Sequence, residues 1–205
     1  DAPTAHWSGA VYVFVRHDGM WAQQAYIKAS NTDKNDEFGT SVTLEGDTLA
    51  VGARREDSDS VGLNGDQSNN DLGFSGAVYL FTRQGDIWTQ KAYIKASNPD
   101  TGDRFGWTLG VSGDTLVIGT SKEDSAATGI GGDQTDNSAE YAGAVYVRRI
   151  APPGSGSGDG GGGGDSGGDG DGDASCTEEA CCGGACPAGE VCVEAFESVY
   201  SCHVL

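Results

Sequence analysis

Short apolar runs broken by Gly/Asp pairs make up the first 150 residues, and no stretch of useful length carries a helical period. The runs predict strands at Ala10–Val15, Gln24–Ala29, Thr40–Leu44 and Thr48–Ala53, then at Ala77–Thr82, Lys91–Ala96, Trp107–Val111 and Thr115–Thr120. Asp18-Gly19, Gly46-Asp47, Gly85-Asp86 and Gly113-Asp114 separate successive strands by two residues of tight-turn chemistry, so neighbouring strands are expected to be antiparallel. Such connections leave no room for a crossover helix. The run Ala10-Val11-Tyr12-Val13-Phe14 lacks polar alternation, which predicts a strand covered on both faces, as in stacked sheets.

The pattern is periodic. GAVYVF at Gly9 returns as GAVYLF at Gly76 and as GAVYV at Gly143, a spacing of 67 residues, and about half the positions of the first two copies match without a gap. A repeated four-stranded meander covered on both faces is a propeller blade. Blades beginning at the Phe-Gly pairs would run from Phe38 to Ala96, preceded by two outer strands within residues 9–29 and followed by three strands within residues 105–150.

Phe38-Gly39 followed by Val51-Gly52-Ala53, and Phe105-Gly106 followed by Val117-Ile118-Gly119, resemble the FG-GAP repeat of integrin α-subunit β-propellers and their bacterial relatives. The resemblance covers roughly residues 7–150. It implies an all-β fold of four-stranded antiparallel blades in a partial FG-GAP β-propeller, a bacterial extracellular or cell-surface location, and a binding or adhesion role. Family propellers have seven blades, so residues 1–150 are expected to be the last part of a longer domain, and by themselves to expose apolar faces and associate. Two positions depart from the family pattern: Arg54 stands where proline follows Gly-Ala, and the second copy reads Gly119-Thr120-Ser121, so that turn must be held differently.

The loop from Arg54 to Phe74 far exceeds the usual connection of about 4–6 residues and recurs from Ser121 to Tyr141. Its acids Asp57 with Asp66, and Asp124 with Asp133, are candidate calcium ligands; the competing expectation is that such residues close turns on backbone amides. The D-x-[DN]-x-[DN]-G cation string of the integrin family is replaced by Leu44-Glu45-Gly46-Asp47-Thr48, so calcium does not follow from the resemblance. Asn31, Asp33 and Asp36, matched by Asn98, Asp100 and Asp103 in the inter-blade connection, form another acidic group that solvated turn residues explain equally well. Trp7, Phe74 and Tyr141, and Trp21 with Trp88, form columns at the repeat period and are expected to pack between blades, with glycan stacking the alternative.

Composition narrows the reading further. A net charge of −19 argues against nucleic acid and anionic membrane surfaces as partners. No apolar run approaches the roughly 18 residues of a membrane span. Residues 151–175 are expected to form a flexible Gly/Asp/Ser linker, and 176–205 a small module stapled by disulfides among Cys176, Cys181, Cys182, Cys186, Cys192 and Cys202 in an oxidising compartment. The spacing lacks the paired knuckles of a zinc site. Gly164-Asp165-Ser166-Gly167-Gly168 imitates a serine-protease motif, yet a polyglycine run cannot position a histidine or an oxyanion hole. No catalysis is therefore expected of this chain; its partner would be a protein or carbohydrate. The alternatives are an accessory domain of a larger secreted enzyme and a purely structural surface protein.

Overall fold

A computed structural model describes residues 6–150, together with the backbone of two strands at 190–195 and 199–204. The chain divides into two compact units, Asp1–Ser155 and Gly156–Leu205. Among the described residues the first unit contains nine strands and no helix.

β1 (Val11–His17) and β2 (Met20–Ile27) form a two-stranded sheet. β3 (Phe38–Glu45), β4 (Thr48–Ala53), β5 (Ala77–Gln84) and β6 (Ile87–Ile94) form a four-stranded antiparallel meander. β7 (Thr108–Ser112), β8 (Thr115–Thr120) and β9 (Ala144–Arg149) form a third sheet of three strands. These are an outer pair of strands, a complete blade and a blade of three strands. The hairpins turn where the Gly/Asp pairs stand: Asp18 and Gly19 both take positive φ (49° and 84°), the requirement of a two-residue turn whose twist matches the strands.

The repeat boundary explains itself in the packing. Gly76 forms a parallel bridge with Phe105 of the next sheet, and Gly9 does the same with Phe38. A Cβ on Gly76 would lie 2.3 Å from the Phe105 carbonyl oxygen, so backbone can meet backbone only if that position is glycine. The Phe-Gly and Gly-Ala motifs are thus two halves of one junction between sheets.

One core lies between the β1–β2 pair and the complete blade and gathers Val13, Ile27, Phe38, Val51, Tyr79 and Phe81. The other lies between the complete blade and the three-stranded sheet, around Val78, Leu80, Ile94, Phe105, Leu116 and Ile118. Alternate residues of β5 therefore feed different cores, and all of Ala77–Thr82 is buried. The same run in β1 is covered on one face only, leaving Tyr12 and Phe14 more than half exposed. The physical difference is a neighbouring sheet, which β5 has on each side.

In the second unit, β10 (Glu190–Ala195) pairs antiparallel with β11 (Val199–Val204), and Cys192 stands opposite Cys202 in the register. Cys176, Cys181, Cys182 and Cys186, and the expected linker with its Ser166 motif, lie outside the described residues. No helix among the described residues is long and apolar enough to cross a membrane.

Candidate functional site

The two long loops are held by the same device. Glu56 follows β4 and is buried; its carboxylate accepts from the Ser58 amide (3.2 Å), from Asn31 Nδ2 (2.9 Å) and from Lys95 Nζ (2.9 Å). Ser58, also buried, donates to the Asp66 carbonyl (2.7 Å) and so draws the far arm of the loop inward. In the second copy Glu123 accepts from Ser125 N (3.1 Å) and Asn98 Nδ2 (3.1 Å), and Ser125 donates to the Asp133 carbonyl (2.7 Å). A buried carboxylate with several donors is an anchor for a long polar loop, much of whose backbone lies outside any strand ladder.

The four candidate calcium ligands are engaged elsewhere. Asp57 Oδ1 accepts the Phe74 amide and Asp124 Oδ1 the Tyr141 amide, both at 2.6 Å. Asp66 Oδ1 accepts the amide and hydroxyl of Ser68 (2.8 and 2.6 Å), and Asp133 Oδ1 those of Thr135 (2.9 and 2.8 Å). These bonds close turns and hold the carboxyls of Asp66 and Asp133 below the usual range. Among the described residues no three His, Cys, Asp or Glu side chains gather as a metal-holding group. Each of the four carboxylates thus closes a turn through one oxygen, the competing expectation for these residues.

The connection between blades differs from its expectation as solvated turn residues. Asp36 and Asp103 are buried, each accepting an amide three residues earlier, from Asp33 (2.9 Å) and Asp100 (2.8 Å). Burial pushes Asp36 up to about 7 and Asp103 up to about 6, against the pull of those bonds. Asn31 ties the Tyr79 hydroxyl (2.5 Å) to Glu56 and to the Gln67 carbonyl (3.1 Å), and Asn98 does the same with Tyr146 (2.6 Å), Glu123 and Gln134. The turns without proline have separate solutions: Arg54 Nε meets Glu37 at 2.6 Å, while the Thr120 hydroxyl donates to the Asp103 carbonyl.

The aromatic column Trp7, Phe74, Tyr141 does not pack between sheets. Each residue holds a left-handed backbone (φ 58°, 58° and 62°) just ahead of the junction glycine, and its ring faces outward. Cations cover two of them: the Arg55 guanidinium lies 4.5 Å from the Phe74 ring centroid and Lys122 Nζ 4.4 Å from that of Tyr141. Trp107 stacks beneath Arg54 at 4.6 Å and Arg104 at 5.6 Å. The Nε atoms of Arg55 and Arg104 are buried with no hydrogen-bond partner among the described residues. Phe74, Arg104, Lys122, Asp124, Glu140 and Tyr141 border a depression of about 250 Å³ there. Of the inter-blade pair, Trp88 packs on the first core and donates to Gln24 (3.0 Å), whereas Trp21 is exposed because no sheet precedes β1 among the described residues.

Sequence reading picked out the loops and the aromatic period but missed the cations. The signal was present: Arg54-Arg55 and Lys122 stand at matching places in a chain with only 12 basic residues.

A comparison with curated protein sequences gives no match. A family model described as FG-GAP repeat matches residues 21–81 and 88–148, two segments displaced by the same 67 residues that relate the blades. With its motif glycines forming the sheet junctions and its family match covering more than half its length, the chain belongs to the FG-GAP repeat family.

Proposed function

We propose that the protein is a binding or adhesion module at a bacterial extracellular or cell surface, with no catalysis of its own, and that it takes a protein or carbohydrate ligand on the ladder of aromatic and cationic side chains. The observation that carries this reading is the pairing of Arg55 with Phe74 and of Lys122 with Tyr141 at the repeat period. Aromatic faces suit sugar or side-chain stacking, and the Lys122 ammonium suits carboxylate or sulfate. The cation cluster stands out in a chain of net charge −19. An oxidising location also accords with six cysteines within the last thirty residues. Three disulfides would lower the non-reduced mass by about 6 Da and block all six thiols to alkylation.

The test is a glycan and protein binding screen of the chain, repeated with Phe74→Ala, Tyr141→Ala and Lys122→Ala. The rings are not core residues, so the variants should unfold as the parent does while retaining little ligand. Ligands held equally well by all three variants would remove the ladder as the site, and a hydrolytic activity in the purified chain would remove the non-catalytic reading.

A further inference from the structure

The buried ion pair of the complete blade gathers more than two charges. Lys95 and Glu56 are both fully buried, and Lys95 Nζ donates to Glu56 Oε2 at 2.9 Å. The other oxygen of that carboxylate, Glu56 Oε1, accepts from Asn31 Nδ2, also at 2.9 Å. An amine and a carboxamide thus sit on the two oxygens of one carboxylate. The carbonyl oxygen of the carboxamide, Asn31 Oδ1, accepts the Tyr79 hydroxyl at 2.5 Å. Ser75 Oγ accepts from Lys95 Nζ at 2.6 Å and fixes the amine from a second side.

Each of these contacts has a use in acyl transfer. Burial pulls the Lys95 ammonium down toward the neutral, nucleophilic amine, against the pull of Glu56. Burial raises Tyr79, so its hydroxyl stays a donor, and a donor aimed at an amide oxygen stabilises the negative charge that grows there under attack. A carboxylate bonded to both nitrogens can carry protons from one to the other. Tyr79 and Tyr93, both buried and with ring centroids 5.3 Å apart, shield the group from water. Of the three copies, only this one assembles the set among the described residues. Lys28, the counterpart of Lys95 in the first copy, donates to Ser8 Oγ (2.6 Å) and the Gly9 carbonyl (2.5 Å), and the counterpart that would serve Asn98 and Glu123 is Gly162.

We propose that Lys95 and Asn31 are joined in the folded chain by an intramolecular isopeptide bond, with Glu56 as the proton carrier. Glu56 takes a proton from the Lys95 ammonium, the Nζ lone pair forms a bond to Asn31 Cγ, and the carbonyl π pair moves onto Oδ1 beneath the Tyr79 hydroxyl. As the carbonyl re-forms, the Cγ–Nδ2 bond breaks. Of the two protons that Nζ gives up, one is relayed to Nδ2, which departs as ammonia, and the other stays on Glu56. The carboxyl therefore ends neutral, as suits an interior position that has lost its cation. No oxidant, reductant or cofactor is consumed, and the event occurs once per chain without turnover. The bond ties the connection between β2 and β3 to the residue after β6, closing a loop of about 64 residues and restricting the unfolded chain as a long-range disulfide does.

The test is the intact mass of the full chain, denatured and fully reduced so that cysteine oxidation does not contribute. The loss of one ammonia, about 17 Da below the sequence mass, is expected. Digestion should release a branched peptide joining the segments around Asn31 and Lys95, with no tryptic cleavage after Lys95. Lys95→Arg and Glu56→Gln should each keep the full mass. The full sequence mass in the parent would overturn the proposal. So would the same loss with Lys95 in a linear peptide, as a cyclised asparagine gives, or a loss that persists in Lys95→Arg. Persistence in Glu56→Gln alone would overturn Glu56 as the proton carrier.

Discussion

Asp36 and Asp103 carry protons at a pH where the unfolded chain does not. Their folded values of about 7 and about 6 lie above the ordinary 3.8, so between roughly pH 4 and pH 7 the native state binds more protons than the unfolded state. Stability therefore falls as pH rises through that window and is greatest toward its acidic end. Thermal unfolding at pH 5 and pH 8 should show a higher midpoint at pH 5, with Asp36→Asn and Asp103→Asn raising the pH 8 midpoint and flattening the difference. An unchanged slope in the double variant would show that these acids are not its source. The paired copies of the loop anchor give a second comparison. Lys95→Met strands Glu56 in the interior and should cost about 3–5 kcal/mol in denaturant titration. Glu123→Gln, which breaks no ion pair among the described residues, should cost about 1 kcal/mol or less.

At the scale of the element, the strands and hairpins were legible because their determinants are local: β-branched runs, period and Gly/Asp turns. Thr48–Ala53 and Thr115–Thr120 were read to the residue. The outer strands begin earlier than expected, at Met20 and Ile87, because the two-residue hairpin carries pairing up to the turn, where polar residues such as Gln23 and Thr89 occupy the solvent-facing side. The long loops were legible as special by length and recurrence, but not in their use of acids, since carboxylates that close turns and carboxylates that bind cations share the same letters. From the geometry, calorimetric titration with calcium should give no saturable heat. Asp66→Ala and Asp133→Ala should instead speed amide exchange at Ser68 and Thr135, the donors they lose. Saturable heat abolished in those variants would restore them as ligands.

Two surfaces of the whole first unit remain apolar. Tyr12, Phe14 and Trp21 lie exposed on the first sheet, and Val145 and Val147 on the last. They are the repeat counterparts of Tyr79, Phe81 and Trp88, and of Val78 and Leu80, all of which contribute to the two cores. Contiguous surface of this kind drives association. Residues 1–150 alone are expected to self-associate in sedimentation velocity as concentration rises, and Phe14→Glu with Val145→Glu should restore a monomer. A monomer at all concentrations in the parent would mean that these faces are covered in some other way.

Repeat, strand order, turn positions and family were determined by the sequence alone, because each rests on neighbours a few residues apart or on one period of 67. What only tertiary structure decided is which members of identical runs are buried. Tyr12 and Tyr79 occupy the same place in the same motif and differ because one has a sheet against its ring and the other does not. The aromatic column faces outward with Trp7, Phe74 and Tyr141 themselves in left-handed backbone two positions before each junction glycine, and Asp36 is a buried acid near Glu56 and Asp57, about twenty positions along the chain. Burial is a property of what packs from far along the chain, which local pattern does not encode.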